Sequence, residues 1–180
     1  MANKEALREL QQRLAERLQM VRQQAPARNW LAVDIGGHGF LLPLDQAGEI
    51  FPLTAIQPVP HSQEWFVGVA NLRGQLHGVI DLAGFIGLPR RAPRTAAESG
   101  GRDAGRIVAL NASLQVNAAL QIDRLLGLRN ALTLTVSAEE PAGLKPHFVG
   151  QQLVDTQGRT WYELDLAALV ADEAFLKIDV

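Results

Sequence analysis

The sequence predicts a mainly β fold, a barrel or sandwich of short strands with a helix at each end, on a chain long enough for one domain or two small barrels sharing an interface. Three observations predict it. After residue 28, short apolar runs broken by glycine and asparagine recur at regular spacing, as in barrels and sandwiches. Before residue 28 the apolar residues fall three or four apart, the period of a helix. Hydrophobic residues make up 47% of the 180-residue chain and charged residues 20%, enough apolar surface to offset the entropy of ordering it.

The opening element follows from Leu7, Leu10, Leu14, Leu18 and Val21, which share one stripe of a helix running from Asn3 to about Gln24. Asn3 can cap its start, Glu9 and Arg13 stand four apart as a supporting pair, and Pro26 marks its end. Residues 1–28 thus read as an amphipathic extension ahead of a folded body over 29–180. Its apolar stripe must be covered, either by the protein's own β body or by a partner or second copy in self-association.

The β body begins with Trp30 to Asp34, then Gly36-Gly37-His38-Gly39, then Phe40 to Leu44, which reads as a hairpin. Further strand-like runs lie at Val67–Asn71, Leu76–Leu82, Ile107–Leu110, Val116–Asp123 and Trp161–Asp165. Between them, 89–105 holds prolines, arginines and Gly100-Gly101 with almost no large apolar side chain, so a flexible surface loop is expected. A second irregular stretch spans Ser137 to Pro146. The two loops separate halves of similar strand content, with exchange of strands between halves left open. Leu166, Leu169, Val170 and Phe175 then stand at helical spacing behind Asp165, predicting one short closing helix capped by that aspartate.

Several function classes are disfavoured at once. A formal net charge of −2 with both signs interspersed offers no basic face for nucleic acid. The absence of cysteine removes disulfides, thiolate catalysis and zinc–sulfur sites, and agrees with a reducing compartment. No stretch is long or apolar enough for membrane insertion and the first twenty residues lack a signal-peptide core, so a cytoplasmic protein is expected. His38, His61, His77 and His147 are widely separated, with no ligand spacing between them, so no metal is expected. Asp34, Asp81, Asp123 and Asp165 each end an apolar run, which suits structural capping better than paired acid–base work. Neither a phosphate loop nor a nucleophile elbow is present, and no cofactor or catalytic residue is assigned. The Asn111-Ala-Ser113 triplet matches a glycosylation pattern by chance.

The most informative stretch is Trp65 to Leu88, WFVGVANLRGQLHGVIDLAGFIGL. It reads as strand, tight turn, strand, short helix. Gly74 supplies the turn, Val67 and Val69 share one side, Val79 and Ile80 return, and Asp81 caps the turn beginning at Leu82. This run resembles the signature of CheW-like coupling domains, in which Gly-Val-x-Asn-Leu-Arg-Gly leads into Val-Ile-Asp-Leu. Flanking segments are similar too: Asp45 to Ile50, Pro58-Val-Pro60, Ala119 to Arg124, Phe148-Val-Gly150 and Leu164-Asp-Leu166. The leading helix, the signature and the ending Phe175 to Val180 together look like the PilI-type branch, which serves type IV pilus and twitching systems. Gly78 stands where many relatives carry proline and His77 where they are apolar, so this strand is expected to be looser or more exposed.

The resemblance implies two SH3-like, five-stranded β-barrels around a shared apolar seam, and a non-catalytic adaptor. Its implied partners are the cytoplasmic tip of a methyl-accepting chemoreceptor and the regulatory domain of a CheA-type histidine kinase. By that resemblance Ala47, Glu49 and Ile50 match the receptor-facing segment. Arg73 matches the signature arginine, with Glu49 as its ionic partner. Val67, Asn71, Leu72, Gly74, Ile80 and Asp81 match the signature and seam. The competing reading is a small ligand-binding or hydrolytic barrel, which requires a deep polar pocket ringed by carboxylates or histidines.

Overall fold

A computed structural model of the chain describes residues 28–89, 105–138 and 146–180. The helix expected over Asn3–Gln24, most of the loop at 89–105 and most of the stretch from Ser137 to Pro146 lie outside these residues. The fold is mainly β, with two sheets. Five strands, β3 (Ala47–Pro52), β4 (Phe66–Leu72), β5 (Gln75–Asp81), β6 (Arg106–Leu110) and β7 (Ala118–Ile122), lie in the order β3-β6-β7-β5-β4. Six others form the order β8-β1-β2-β11-β10-β9: β1 (Asn29–Ile35), β2 (His38–Pro43), β8 (Arg124–Asn130), β9 (Leu134–Val136), β10 (Val149–Asp155) and β11 (Thr160–Leu164).

The expected hairpin is β1 and β2. Ile35 pairs with His38, leaving Gly36 and Gly37 as a two-residue loop with φ of 62° and 85°. Two successive left-handed residues are the turn that matches strand twist, and glycine adopts them without strain. Each sheet also contains one parallel pair, β2 with β11 and β5 with β7. The chain therefore weaves: its first two strands sit with its last four, while β6 and β7 complete the sheet begun by β3, β4 and β5.

Burial follows the same division. Trp30, Ala32, Leu41, Leu134, Leu153 and Trp161 cluster within the six-stranded sheet, and Ala70, Leu72, Val79, Ile107, Ala109 and Ala119 within the five-stranded one. A third, larger cluster takes the opposite side chains of both sheets, among them Leu31, Val33, Phe40, Ile80, Val108, Leu120 and Leu164. Alternation explains the split, because Trp30 and Ala32 point to one face of β1 while Leu31 and Val33 point to the other. The sheets are thus held to each other by the period-two pattern of their own strands.

Short helices plug the ends of the shared core. Asp81 caps α1 (Leu82–Phe85), its Oδ1 accepting the Gly84 N–H at 3.1 Å. The closing segment is two helices where one was expected: α2 (Leu166–Ala171) and α3 (Glu173–Leu176). Asp165 caps the first as predicted, but Asp172 adopts an extended backbone and its carboxylate takes the N–H groups of Ala174 and Phe175, which restarts the helix. The break lets Phe175 turn into a ring cluster with Trp65 and Phe85.

Two further expectations are corrected. Val67 and Val69 do not share a side: Val67 packs on the inner cluster of its sheet and Val69 on the shared core. A register shift at Phe66–Gly68 reverses the alternation between them. Nor is the strand at His77 and Gly78 loose. His77 is only 8% exposed, and a Cβ on Gly78 would lie 2.8 Å from the Phe66 ring. Gly78 also donates its N–H to Asn117 O at 2.9 Å, a bond proline cannot make.

Candidate functional site

The site is built on the β4–β5 turn. Leu72 pairs with Gln75, so the loop is Arg73-Gly74, with φ of 50° and 84° at its two positions. Asn71 Oδ1 accepts the Gly74 N–H at 2.7 Å and closes the turn, while Leu72, 4% exposed, anchors it in the inner cluster. A left-handed arginine costs about 1–2 kcal/mol where glycine or asparagine would be relaxed. Its side chain is thereby thrown clear of the hairpin.

Glu49 arrives from the far edge of the sheet. Between Ala47 and Ile50, β3 slips against β6, and the extra residue of this bulge redirects the side chains. Arg73 Nη2 and Glu49 Oε1 meet at 2.6 Å, the pairing the resemblance implied. β3 and β4 are the outermost strands of their sheet, so this contact requires the sheet to curl. The side chains are 76% and 43% exposed, which places the pair at the surface, where such bridges contribute about 0.2–1 kcal/mol.

The other expected residues divide between surface and interior. Ala47 is buried and Ile50 half-buried against the shared core, so Glu49 alone of that trio stands in solvent. Asn71 and Gly74 are exposed, Val67 half-buried, Leu72 in the inner cluster, Ile80 in the shared core, and Asp81 spent on its cap. One exposed residue was missed. Leu76 pairs directly with Asn71 and is 65% exposed, so the turn presents an apolar side chain beside its charged one. The signal was available: alternation that turns Asn71 outward turns its cross-strand neighbour outward too.

The other strand-end aspartates also work structurally. Asp34, 5% exposed, accepts the Gly37 N–H and meets Arg124 at 3.0 Å and Arg159 at 3.3 Å. Asp123 accepts the Gly36 N–H. Asn111 starts a one-turn helix by accepting from Ser113 N, which gives its triplet a local role. At the β10–β11 turn, Asp155 accepts the Trp161 indole N–H at 3.0 Å and the N–H groups of Gln157 and Arg159. Burial pushes this carboxyl up, but those three hydrogen bonds and the Arg129 charge outweigh it and hold the group below its usual 3.8.

A cleft of about 540 Å³, lined in part by Arg28, Trp30, Gln46, His147, Glu163 and Asp165, has no local sequence signature because four separate segments assemble it. Several of its polar groups are tied into the fold. Glu163 accepts from Trp30 Nε1 at 3.0 Å and pairs with Arg28, Gln46 Oε1 accepts the Leu166 N–H, Asp165 caps α2, and His147 meets Asp172 at 3.5 Å. Among the described residues no group of three or more His, Asp or Glu is placed to hold a metal, and no helix is long and apolar enough to cross a membrane.

Two interlocked sheets around a shared core, with an Asn-Leu-Arg-Gly turn at the surface, define a class. Residues 29–174 match the CheW-like domain model, and the chain belongs to that family. More particularly, it is 28% identical over 163 residues to Protein PilI of Pseudomonas aeruginosa, across 88% of this chain and 85% of that one. The crystal structure of the scaffolding protein TtCheW from Thermoanaerobacter tengcongensis superposes with a TM-score of 0.61 at 18% identity, over 77% of this chain and 88% of that one, a likeness of fold.

Proposed function

We propose that this protein is a non-catalytic adaptor that joins the cytoplasmic tip of a methyl-accepting chemoreceptor to the regulatory domain of a CheA-type histidine kinase, in a system controlling type IV pili and twitching. Family membership over residues 29–174 supports the adaptor class, and similarity to PilI supports the pilus branch. The observation that carries the site is the Glu49–Arg73 pair at 2.6 Å, held in solvent by a strained turn whose neighbour Leu76 is exposed. An ion pair with an exposed leucine in the same hairpin suits a modest, reversible contact with a helical tip. Each sheet having its own inner cluster, with a third between them, supports two SH3-like barrels meeting at a seam. The protein then works in the cytoplasm, recruited to membrane-bound receptor arrays through its partners.

Size-exclusion chromatography of the full chain with a receptor cytoplasmic hairpin and the kinase's regulatory domain tests the proposal. Co-elution of all three is expected, and separate elution from both partners counts against it. The polar cleft favours a small ligand-binding or hydrolytic protein. Glu163, Asp165 and His147 in its lining are engaged in contacts that hold the fold, which supports a structural role for it.

A further inference from the structure

The outer edge of the six-stranded sheet is an apolar surface whose cover is absent among the described residues. Cross-strand partners share a face, and β8 places Leu128 opposite Leu31 and Leu125 opposite Val33. Leu31 and Val33 are 5% and 0% exposed in the shared core, whereas Leu125 and Leu128 are 39% and 63% exposed. The core's cover therefore stops at β1 although its apolar face continues onto β8. Leu132, on the helical turn that follows β8, is 88% exposed. We propose that this leucine edge is the docking surface for the protein's own residues 7–21, whose Leu7, Leu10, Leu14, Leu18 and Val21 form the stripe read from the sequence.

The point where the chain enters the body selects this occupant. The Arg28 carbonyl accepts the Ala131 N–H at 3.1 Å, one residue from Leu132, and Asn29 pairs with Asn130 at the end of β8. Only Ala25, Pro26 and Ala27 separate the predicted end of the stripe's helix at Gln24 from Arg28. At about 3.3–3.6 Å per extended residue this tether spans roughly 13 Å, which leaves Val21 and Leu18 within reach of Leu132 and Leu128. A helix over Asn3–Gln24 would be roughly 33 Å long, enough to run the roughly 23 Å of a seven-residue strand. So short a tether gives the stripe an effective concentration near the millimolar range, which a second copy in dilute solution does not match. The segment thus covers the leucine face of the edge strand.

Hydrogen exchange on the full chain at low micromolar concentration tests this, with sedimentation run in parallel. Amides of residues 10–21 should be protected at least tenfold over an unfolded chain in a monomer, and Leu128→Asp with Leu132→Asp should remove that protection while β4 and β5 keep theirs. A reciprocal variant, Leu14→Asp with Leu18→Asp, should shift the methyl resonances of Leu125, Leu128 and Leu132, and this reading holds even if the first variant unfolds. Unprotected residues 10–21, protection unchanged in the variant, protection that vanishes on dilution of a dimer, or unmoved methyl resonances would each overturn the proposal.

Discussion

Arg73 combines a backbone conformation that disfavours it with a side chain that does little for stability. Its φ of 50° is strained, and its bridge to Glu49 is exposed on both sides. Arg73→Asn should relax the turn by about as much as it forfeits from the ion pair, so thermal unfolding should move by no more than about 1 kcal/mol equivalent. A drop several times larger would make the arginine a structural brace. Gly68 is the opposite case. Its φ is 143°, and a Cβ there would lie 2.3 Å from the Gln57 carbonyl oxygen, which pairs with Val69. Gly68→Ala should cost about 2–4 kcal/mol in denaturant unfolding, through strain and overpacking together. The signature thus mixes positions that shape the hairpin with one that faces outward, and spacing alone does not sort them. His77 and Gly78 show the same limit: a polar residue and a missing side chain read as looseness, while Phe66 and Asn117 from outside the strand fill and bond that position.

At the scale of elements, the β10–β11 hairpin depends on an ionised aspartate. Because the folded value of Asp155 lies below 3.8, its stabilisation is complete above that value and is lost as pH falls through the lower folded one. Asp155→Asn should lower the melting temperature at neutral pH, by a difference that shrinks as pH falls below 3.8; a difference that stays constant as the pH is lowered would contradict the assignment. Asp34→Ala, which removes the carboxylate shared by Arg124, Arg159 and the Gly37 N–H at the β1–β2 turn, should cost about 1–3 kcal/mol in the same unfolding assay. Elements with strong local chemistry were legible: the Gly36-Gly37 hairpin, β4 and β5 around Asn71 to Gly74, and the Asp81 and Asp165 caps. The sequence reading did not mark β3, β8, β9 or β10 as strands. Gly127 interrupts β8, β9 is three residues long, and Gly150-Gln151-Gln152 leaves β10 few apolar positions, so tertiary pairing decides each.

At the scale of the molecule, the shared core was foreseen from resemblance and the weaving of strands was not readable from any segment. Sheets that exchange strands along the chain cannot separate without breaking both, so the body should unfold in one cooperative step. Coincident fluorescence and circular-dichroism transitions check this, and two separated transitions would contradict it. Such a body suits the proposed role of holding two partners in fixed relation. Calorimetric titration of a receptor hairpin into the wild type, Arg73→Asn and Arg73→Glu tests that claim most directly. Binding should weaken by at least tenfold in Arg73→Glu, about 1.4 kcal/mol, and by less in Arg73→Asn, with both variants folded. Equal affinity across the three proteins, or no heat of binding with the wild type, would contradict it.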